Sequence, residues 1–225
     1  MMKKEAMNNI KAVIFDMDGL LLDTERVALS TFVAACRKHD FEPDVNIYYK
    51  CIGTNDVRTK EILLEGYGRD FPYEAINELW RDLYHIETWE KPISPKAGAL
   101  NLLQHLEQRG MRRVVVTSSH HSSALKKLAN CKMLHYFDFV LGGDQVKQGK
   151  PHPEMYLTAC ARLGEEPAQC LALEDSDNGV RSATSAGLVV IQVPDLLSHS
   201  PEVKAFGHRI VRSLTEVETM MRRSA

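Results

Sequence analysis

The sequence predicts an α/β protein: a parallel sheet with helices on both faces, carrying an inserted all-helical domain. Short apolar runs alternate with amphipathic helical runs from Lys96 to the C-terminus. One further apolar run, Ala12-Val13-Ile14-Phe15, stands near the N-terminus. Between the two, from Thr24 to about Glu90, every signal is helical. Strands alternating with helices imply crossover connections and a sheet buried on both sides. The expected division is therefore an α/β core made of residues 1–23 and 92–225, with a helical domain at 24–91.

The first strand stops at Asp16, and Gly19 three residues later lets the backbone turn away sharply. If strand-like alternation continues past its end, Asp16 and Asp18 point the same way, about 6–7 Å apart. Thr24 reads as the cap of a helix running to about His39, and Pro43 breaks that pattern. Helical stretches are expected from Val45 to Cys51, Asp56 to Gly66 and Tyr73 to Trp89. Lys91-Pro92-Ile93-Ser94-Pro95 then reads as a linker. In the core, helices are expected at 97–109, 122–130, 153–163, 178–186 and 214–221. Strands are expected at 113–117, 137–141, 170–173, 188–193 and near 209–211.

Composition sets outer limits. At 225 residues, 44% hydrophobic and 26% charged, with a formal net charge of −2, the chain has the profile of a soluble globular protein. It carries no basic run that would favour nucleic acid as a partner, and no apolar run approaches the ~20 residues of a membrane span. The basic N-terminal residues are followed by no signal-type apolar core and read as a frayed tail. Five cysteines, odd in number and without a C-x-x-C pair, fit reduced thiols and a cytoplasmic location. A monomer is the default expectation.

Ligands of parallel α/β sheets bind beyond the carboxyl ends of the strands, so the polar residues there carry the functional argument. They are Asp16 and Asp18, Thr117-Ser118-Ser119, and Glu174-Asp175, joined by Lys150 in the turn Gly149-Lys150-Pro151-His152-Pro153. Singly, each has an ordinary explanation. Lys150 suits a solvated loop, Thr117 a helix cap, and Glu174-Asp175 a helix start where acids complement the dipole. Together they place four carboxylates, a hydroxyl and an ammonium on one sheet edge. So many acids raise one another's pKa and repel anions unless a cation intervenes, and Mg²⁺ is the natural hard divalent ion for carboxylate oxygens.

Phosphoryl transfer uses such a set well. An ionised Asp16 can attack phosphorus without a general base. Thr117, the backbone N–H groups near Ser118, and Lys150 suit the transferring oxygens. Asp18 lies within reach to protonate a leaving alkoxide, and Glu174 and Asp175 would complete the metal site.

Asp16-Met17-Asp18-Gly19, Thr117-Ser118, Lys150-Pro151 and Glu174-Asp175-Ser176-x-x-Gly179-Val180 resemble the four ordered motifs of the haloacid dehalogenase-like hydrolases. The helical insert resembles the cap of their β-phosphoglucomutase-like and phosphoglycolate phosphatase-like branch. Leu20-Leu21-Leu22-Asp23-Thr24-Glu25-Arg26 is similar to the phosphatases acting on pseudouridine 5′-phosphate and their relatives. The resemblance implies a Rossmann-like core, a Mg²⁺ cofactor, and hydrolysis of a small phosphorylated metabolite, a sugar phosphate or nucleotide-like monoester, through an aspartyl-phosphate. It makes Asp16 the nucleophile and a metal ligand. Asp18 becomes the acid/base and a ligand through its backbone carbonyl. Thr117, Ser118 and Lys150 bind the phosphoryl group, Asp175 is a metal ligand, and Glu174 a ligand or a residue supporting one. The second acid, Asp18, disfavours the dehalogenases, and no cap lysine suggests phosphonatase chemistry.

A sugar phosphomutase is the alternative. It needs a second phosphate held by the cap, where β-phosphoglucomutases carry an arginine shortly after a glycine. Here Gly53-Thr54-Asn55-Asp56 places an acid in that slot, with Arg58 two positions on. A non-catalytic binding protein on the same fold is the third reading, disfavoured by the intact acid and lysine set. His120 and His121 read as a solvated pair opening a helix. Tyr48, Tyr49, Trp80 and Trp89 read as cap packing. The cap is expected to open and close on hinges near Leu22–Thr24 and Lys91–Pro95.

Overall fold

The first strand is the centre of a six-stranded, all-parallel sheet in the computed structural model, which describes residues 9–52, 54, 56–196 and 200–223. In chain order the elements are β1 (Ala12–Phe15), α1 (Thr24–Lys38), α2 (Val45–Tyr49), α3 (Asp56–Tyr67), α4 (Tyr73–His85), α5 (Ala99–Gln108) and β2 (Arg112–Val116). There follow α6 (His121–Asn130), β3 (Phe139–Leu141), α7 (Glu154–Leu163), β4 (Cys170–Glu174), α8 (Asp177–Ser185), β5 (Val189–Gln192), α9 (Pro201–Lys204), β6 (Arg209–Ile210) and α10 (Leu214–Arg223). The strand order is β3-β2-β1-β4-β5-β6. Every side chain of β1 is fully buried, as expected of a strand covered on both faces. Burying Val13, Ile14 and Phe15 contributes roughly 1.5–3 kcal/mol each.

One face of the sheet packs Ile14, Val114, Val116 and Ala172 against Met155, Tyr156, Ala159 and Cys160 of α7 and Val180 and Ala183 of α8. The apolar spacing of α7, at 155, 156, 159, 160 and 163, is the i, i+1, i+4 stripe of a core helix.

The chain divides into two units, residues 1–23 with 94–225, and residues 24–93. In the first unit the segments at residues 21–23 and 94–96 run side by side. Leu22 bridges Pro95, the Asp23 N–H donates to the Ser94 carbonyl at 3.0 Å, and the Lys96 N–H donates to the Leu21 carbonyl at 2.9 Å. The half-buried Lys96 ammonium adds ion pairs to Asp23 (3.4 Å) and to Asp195.

The second unit has its own core. Phe32 is fully buried, with ring centroids 4.9 Å from Tyr48 and 5.2 Å from Trp80, and Ile62, Leu63, Phe71 and Ile76 fill the remainder. The Trp80 indole donates to the Ala28 carbonyl at 3.0 Å, and Tyr49 packs at the edge of this cluster. Trp89 stacks on His85 at 5.1 Å. Helix α4 is shorter than its periodicity suggests: it ends at His85, and a π-helical turn, Ile86–Glu90, follows it. Of the stretch used to weigh a cap arginine, Gly53 and Asn55 lie outside the described residues. Arg58 pairs with Glu61 at 2.8 Å and Glu65 at 3.6 Å on an exposed helix face.

Two smaller differences have local causes. Strand β3 begins at Phe139 rather than Phe137. The Asp138 carboxylate there turns to the Arg112 guanidinium (2.9 Å) and the Arg113 N–H (3.1 Å), and a 3-10 turn, Leu134–Tyr136, precedes it. Helix α9 starts at a Ser200 side chain that accepts from the Val203 N–H, with Pro201 in its first turn, a start signal that sequence reading passed over. None of the five cysteines is in a disulfide, and no helix among the described residues is long and apolar enough to cross a membrane.

Candidate active site

Register brings the acids together. Phe15 pairs with Val115 of β2 and with Leu173 of β4, so Asp16, Val116 and Glu174 follow on the same level at the carboxyl ends of three adjacent strands. The strand order also reverses at β1, with β2 and β3 to one side and β4, β5 and β6 to the other. Such a reversal point is where open parallel sheets hold ligands. Beyond Asp16 the chain turns at once. Gly19 has φ +82°, a left-handed conformation that a side chain strains, and its N–H donates to the Leu22 carbonyl.

Lys150 reaches this edge from the turn ahead of α7. Its ammonium donates to Asp16 Oδ1 at 2.5 Å and to the Val116 carbonyl at 2.9 Å, and lies 2.6 Å from Glu174 Oε1. Only 4% of its side chain is exposed, so it is not the solvated loop lysine its neighbours in sequence suggest. Burial alone would lower its pKa, but Asp16 and Glu174 outweigh that and hold the ammonium charged.

Glu174 is fully buried and accepts from the Tyr156 hydroxyl as well. Burial, then the negative charges of Glu174 and Asp16, keep the Tyr156 phenol protonated well above its ordinary range. Room for the Glu174 carboxylate depends on Gly179 in the first turn of α8, where a Cβ would come within 1.9 Å of Glu174 Oε2. Gly179→Ala is therefore expected to cost about 1–3 kcal/mol of stability through overpacking. Urea denaturation reads this directly, and an unchanged midpoint would mean that the carboxylate does not sit against this glycine.

Asp18 takes a different set of partners. Its Oδ2 accepts from Ser119 Oγ at 2.7 Å and Thr117 Oγ1 at 3.2 Å, and its Oδ1 accepts from the Lys127 ammonium at 3.0 Å. Thr117 is buried, and its Oγ1 also accepts the Ser119 N–H at 3.1 Å, while Ser118 is exposed. His121 opens helix α6, its N–H donating to Asp144 Oδ1 at 2.6 Å, and His120 is 81% exposed beside Asp144. Two residues at this edge were not singled out from sequence, Lys127 and Tyr156, and Ser119 was placed there without a role. Lys127 shares one helical face with the buried Ala124 and Leu128, at i, i+3 and i+4, but the adjacent Lys126 makes the pair read as solvated.

Asp16, Glu174 and Asp175 each offer a carboxylate oxygen, all within 4.8 Å of one another. Burial pushes the Asp16 carboxyl up to about 8 against the opposing pull of Lys150, with Glu174 and Asp18 adding to the rise. A single ammonium is thus too little charge for this group of acids. An all-oxygen, carboxylate donor set of this kind fits a hard divalent cation. Asp18's carboxylate stands outside the group, occupied by Thr117, Ser119 and Lys127.

Comparison with known proteins places this arrangement. The family model of haloacid dehalogenase-like hydrolases matches residues 10–187. YhcW of Bacillus subtilis, which carries the name of a phosphatase, is 31% identical over 210 residues, covering 93% of this chain and 94% of that one. The phosphorylated carbohydrates phosphatase of Thermotoga maritima is 29% identical over 182 residues, 80% of this chain and 82% of that one. The crystal structure of a Thermotoga maritima protein named for β-phosphoglucomutase superimposes with a TM-score of 0.80 at 26% identity, covering 95% and 99% of the two chains. With its four motifs gathered on one sheet edge and these relatives along nearly its whole length, the chain belongs to the haloacid dehalogenase-like hydrolase family, as an enzyme among phosphatases.

Proposed function

We propose that the protein is a Mg²⁺-dependent phosphatase that hydrolyses a small phosphomonoester, a sugar phosphate or nucleotide-like phosphate, through an aspartyl-phosphate. The observation that carries this reading is the buried Asp16 carboxylate, held by Lys150 at 2.5 Å and grouped with Glu174 and Asp175. A carboxylate is a nucleophile without needing a base, and this one sits where the sheet reverses. The relatives named for phosphatases, one of them for phosphorylated carbohydrates, point the same way.

Each residue then has a task. Asp16 attacks phosphorus with one carboxylate oxygen, the ester P–O bond breaks, and Asp18 gives its proton to the departing alkoxide. In the second step Asp18 takes a proton from water as that water attacks phosphorus, releasing inorganic phosphate and regenerating the Asp16 carboxylate. Lys150 and the Thr117 hydroxyl bind the phosphoryl oxygens, with Ser118 contributing at the exposed side. Asp16, Glu174, Asp175 and the Asp18 backbone carbonyl would hold the cation. Mg²⁺ would supply charge neutralisation for the crowded carboxylates and the phosphate oxygens.

The test is phosphate release from a panel of sugar phosphates and nucleotides, with Mg²⁺ and after its removal by EDTA. Release that vanishes with EDTA and returns with Mg²⁺ is expected. Release indifferent to chelation contradicts the metal assignment. Conversion of a hexose 1-phosphate to its isomer, primed by a bisphosphate and without net phosphate, would instead establish the mutase.

A further inference from the structure

Two aspartates stand at this sheet edge, and each is held by its own buried ammonium. Asp16 has Lys150. Asp18 has Lys127, 3.0 Å from Oδ1, with 4% of the lysine side chain exposed. Lys127 belongs to no strand-end motif. It comes from the middle of α6, on the face that also buries Ala124 and Leu128.

A lysine in that position needs a reason. A helix face that packs apolar residues gains nothing from an ammonium, and a buried charge without a partner is strongly unfavourable. An alanine, leucine or methionine would suit the packing better. The ammonium is retained where it meets a carboxylate, and that carboxylate is the one assigned to proton transfer.

The geometry also says what the contact does. Asp18 lies beyond the end of β1, in an isolated bridge to Leu22 across the turn that Gly19 opens, so its carboxylate is held by side chains from other elements. Its Oδ2 is tied to the loop after β2 through Thr117 and Ser119. Lys127 ties the other oxygen to α6, so the two carboxylate oxygens are fixed from two different elements. An acid that must meet a leaving oxygen within hydrogen-bond reach depends on such fixing.

We infer that Lys127 is a positioning residue, which orients the Asp18 carboxylate for proton transfer to the leaving group while touching neither the substrate nor the phosphoryl group. This rests on the phosphatase reading above. The role has a signature that plain structural support lacks. Protonation matters for an alkoxide leaving group and hardly at all for 4-nitrophenolate, which departs unaided. The parameter to compare is kcat/KM, since it reports the steps up to transfer onto Asp16.

The experiment compares Lys127→Met with the wild type on an alkyl phosphate from the panel and on 4-nitrophenyl phosphate, both with Mg²⁺. The expected loss is about 10²-fold on the alkyl phosphate and within about tenfold on the aryl one, the share a placed acid supplies. In an Asp18→Ala background, Lys127→Met is expected to add no further loss, because the residues act as a unit. Lys127→Gln, which keeps a hydrogen-bond donor, should fall between wild type and Lys127→Met and is the variant to use if methionine prevents folding. Equal losses on both substrates, or additive losses with Asp18→Ala, would overturn the inference, as would failure of both variants to fold. A wild type that releases phosphate from neither substrate fails the phosphatase reading itself, before any Lys127 variant is made, and takes the inference with it.

Discussion

Asp16→Asn is expected to reduce phosphate release to background while leaving the fold intact. The substitution preserves shape and removes only the nucleophilic oxygen's charge. Asp16 sits at the end of a fully buried strand whose pairing with β2 and β4 is made by backbone groups, so the sheet does not depend on its carboxylate. Fold stability should even be little changed or slightly improved. Burial has pushed this carboxyl up to about 8, a sign that its ionised form is uncomfortable where it lies. The measurement is phosphate release at saturating substrate beside a thermal melt. A loss of several orders of magnitude with an unchanged melt is the expected pair of results, since nucleophiles acting in a unit leave little residual rate. Near-normal turnover would remove Asp16 from the chemistry.

Lys150→Met is expected to be the next most damaging change, and for two separable reasons. First, the ammonium is placed among Asp16, Glu174 and the Val116 carbonyl, where it can meet phosphoryl oxygens, and losing one such donor costs about 10²–10³-fold in kcat. Second, Lys150 is the charge that opposes burial at Asp16. Without it the Asp16 carboxyl rises further, and a smaller fraction is ionised at neutral pH. The sign of the pH effect follows. A raised carboxyl gains its reactive, ionised form as pH increases, so the residual rate of Lys150→Met should climb with pH more steeply than the wild-type rate. A pH–rate profile of both proteins reads this. A variant with parallel pH dependence and a small loss would show that Lys150 neither binds the phosphoryl group nor supports Asp16.

The ordered strand-end acids were legible because they depend on local pattern: an apolar run, a polar stop, then a turn residue or a helix cap. Asp16, Thr117, Glu174 and Asp175 come from such places, whereas Lys150 reads alone as a loop lysine and joins them only through the order of the motifs; the fold brings all five to one edge. What was not legible depends on contacts distant in sequence. Tyr156 reads as one more apolar residue in the stripe of α7, and only the fold shows its hydroxyl donating to Glu174. Lys127 is the second of two adjacent lysines, which usually means a solvated face, and its partner lies 109 residues away. The split between Asp16 and Asp18 was equally hidden. Alternation along a strand places both on one side, but it does not show that Asp16 pairs with Lys150 and Asp18 with Lys127. The end of α4 illustrates a different limit. Ile86–Glu90 continues the helical pattern, and the widening to a π turn is not visible in residue type.

The most direct test of the account is an acid-quenched single turnover with Mg²⁺, followed by mass spectrometry of the peptide that spans β1 and the turn after it. A phosphoryl group on Asp16 is expected in the wild type during turnover and none in Asp16→Asn. Turnover without a phosphorylated protein, or a phosphoryl group carried elsewhere, would contradict it.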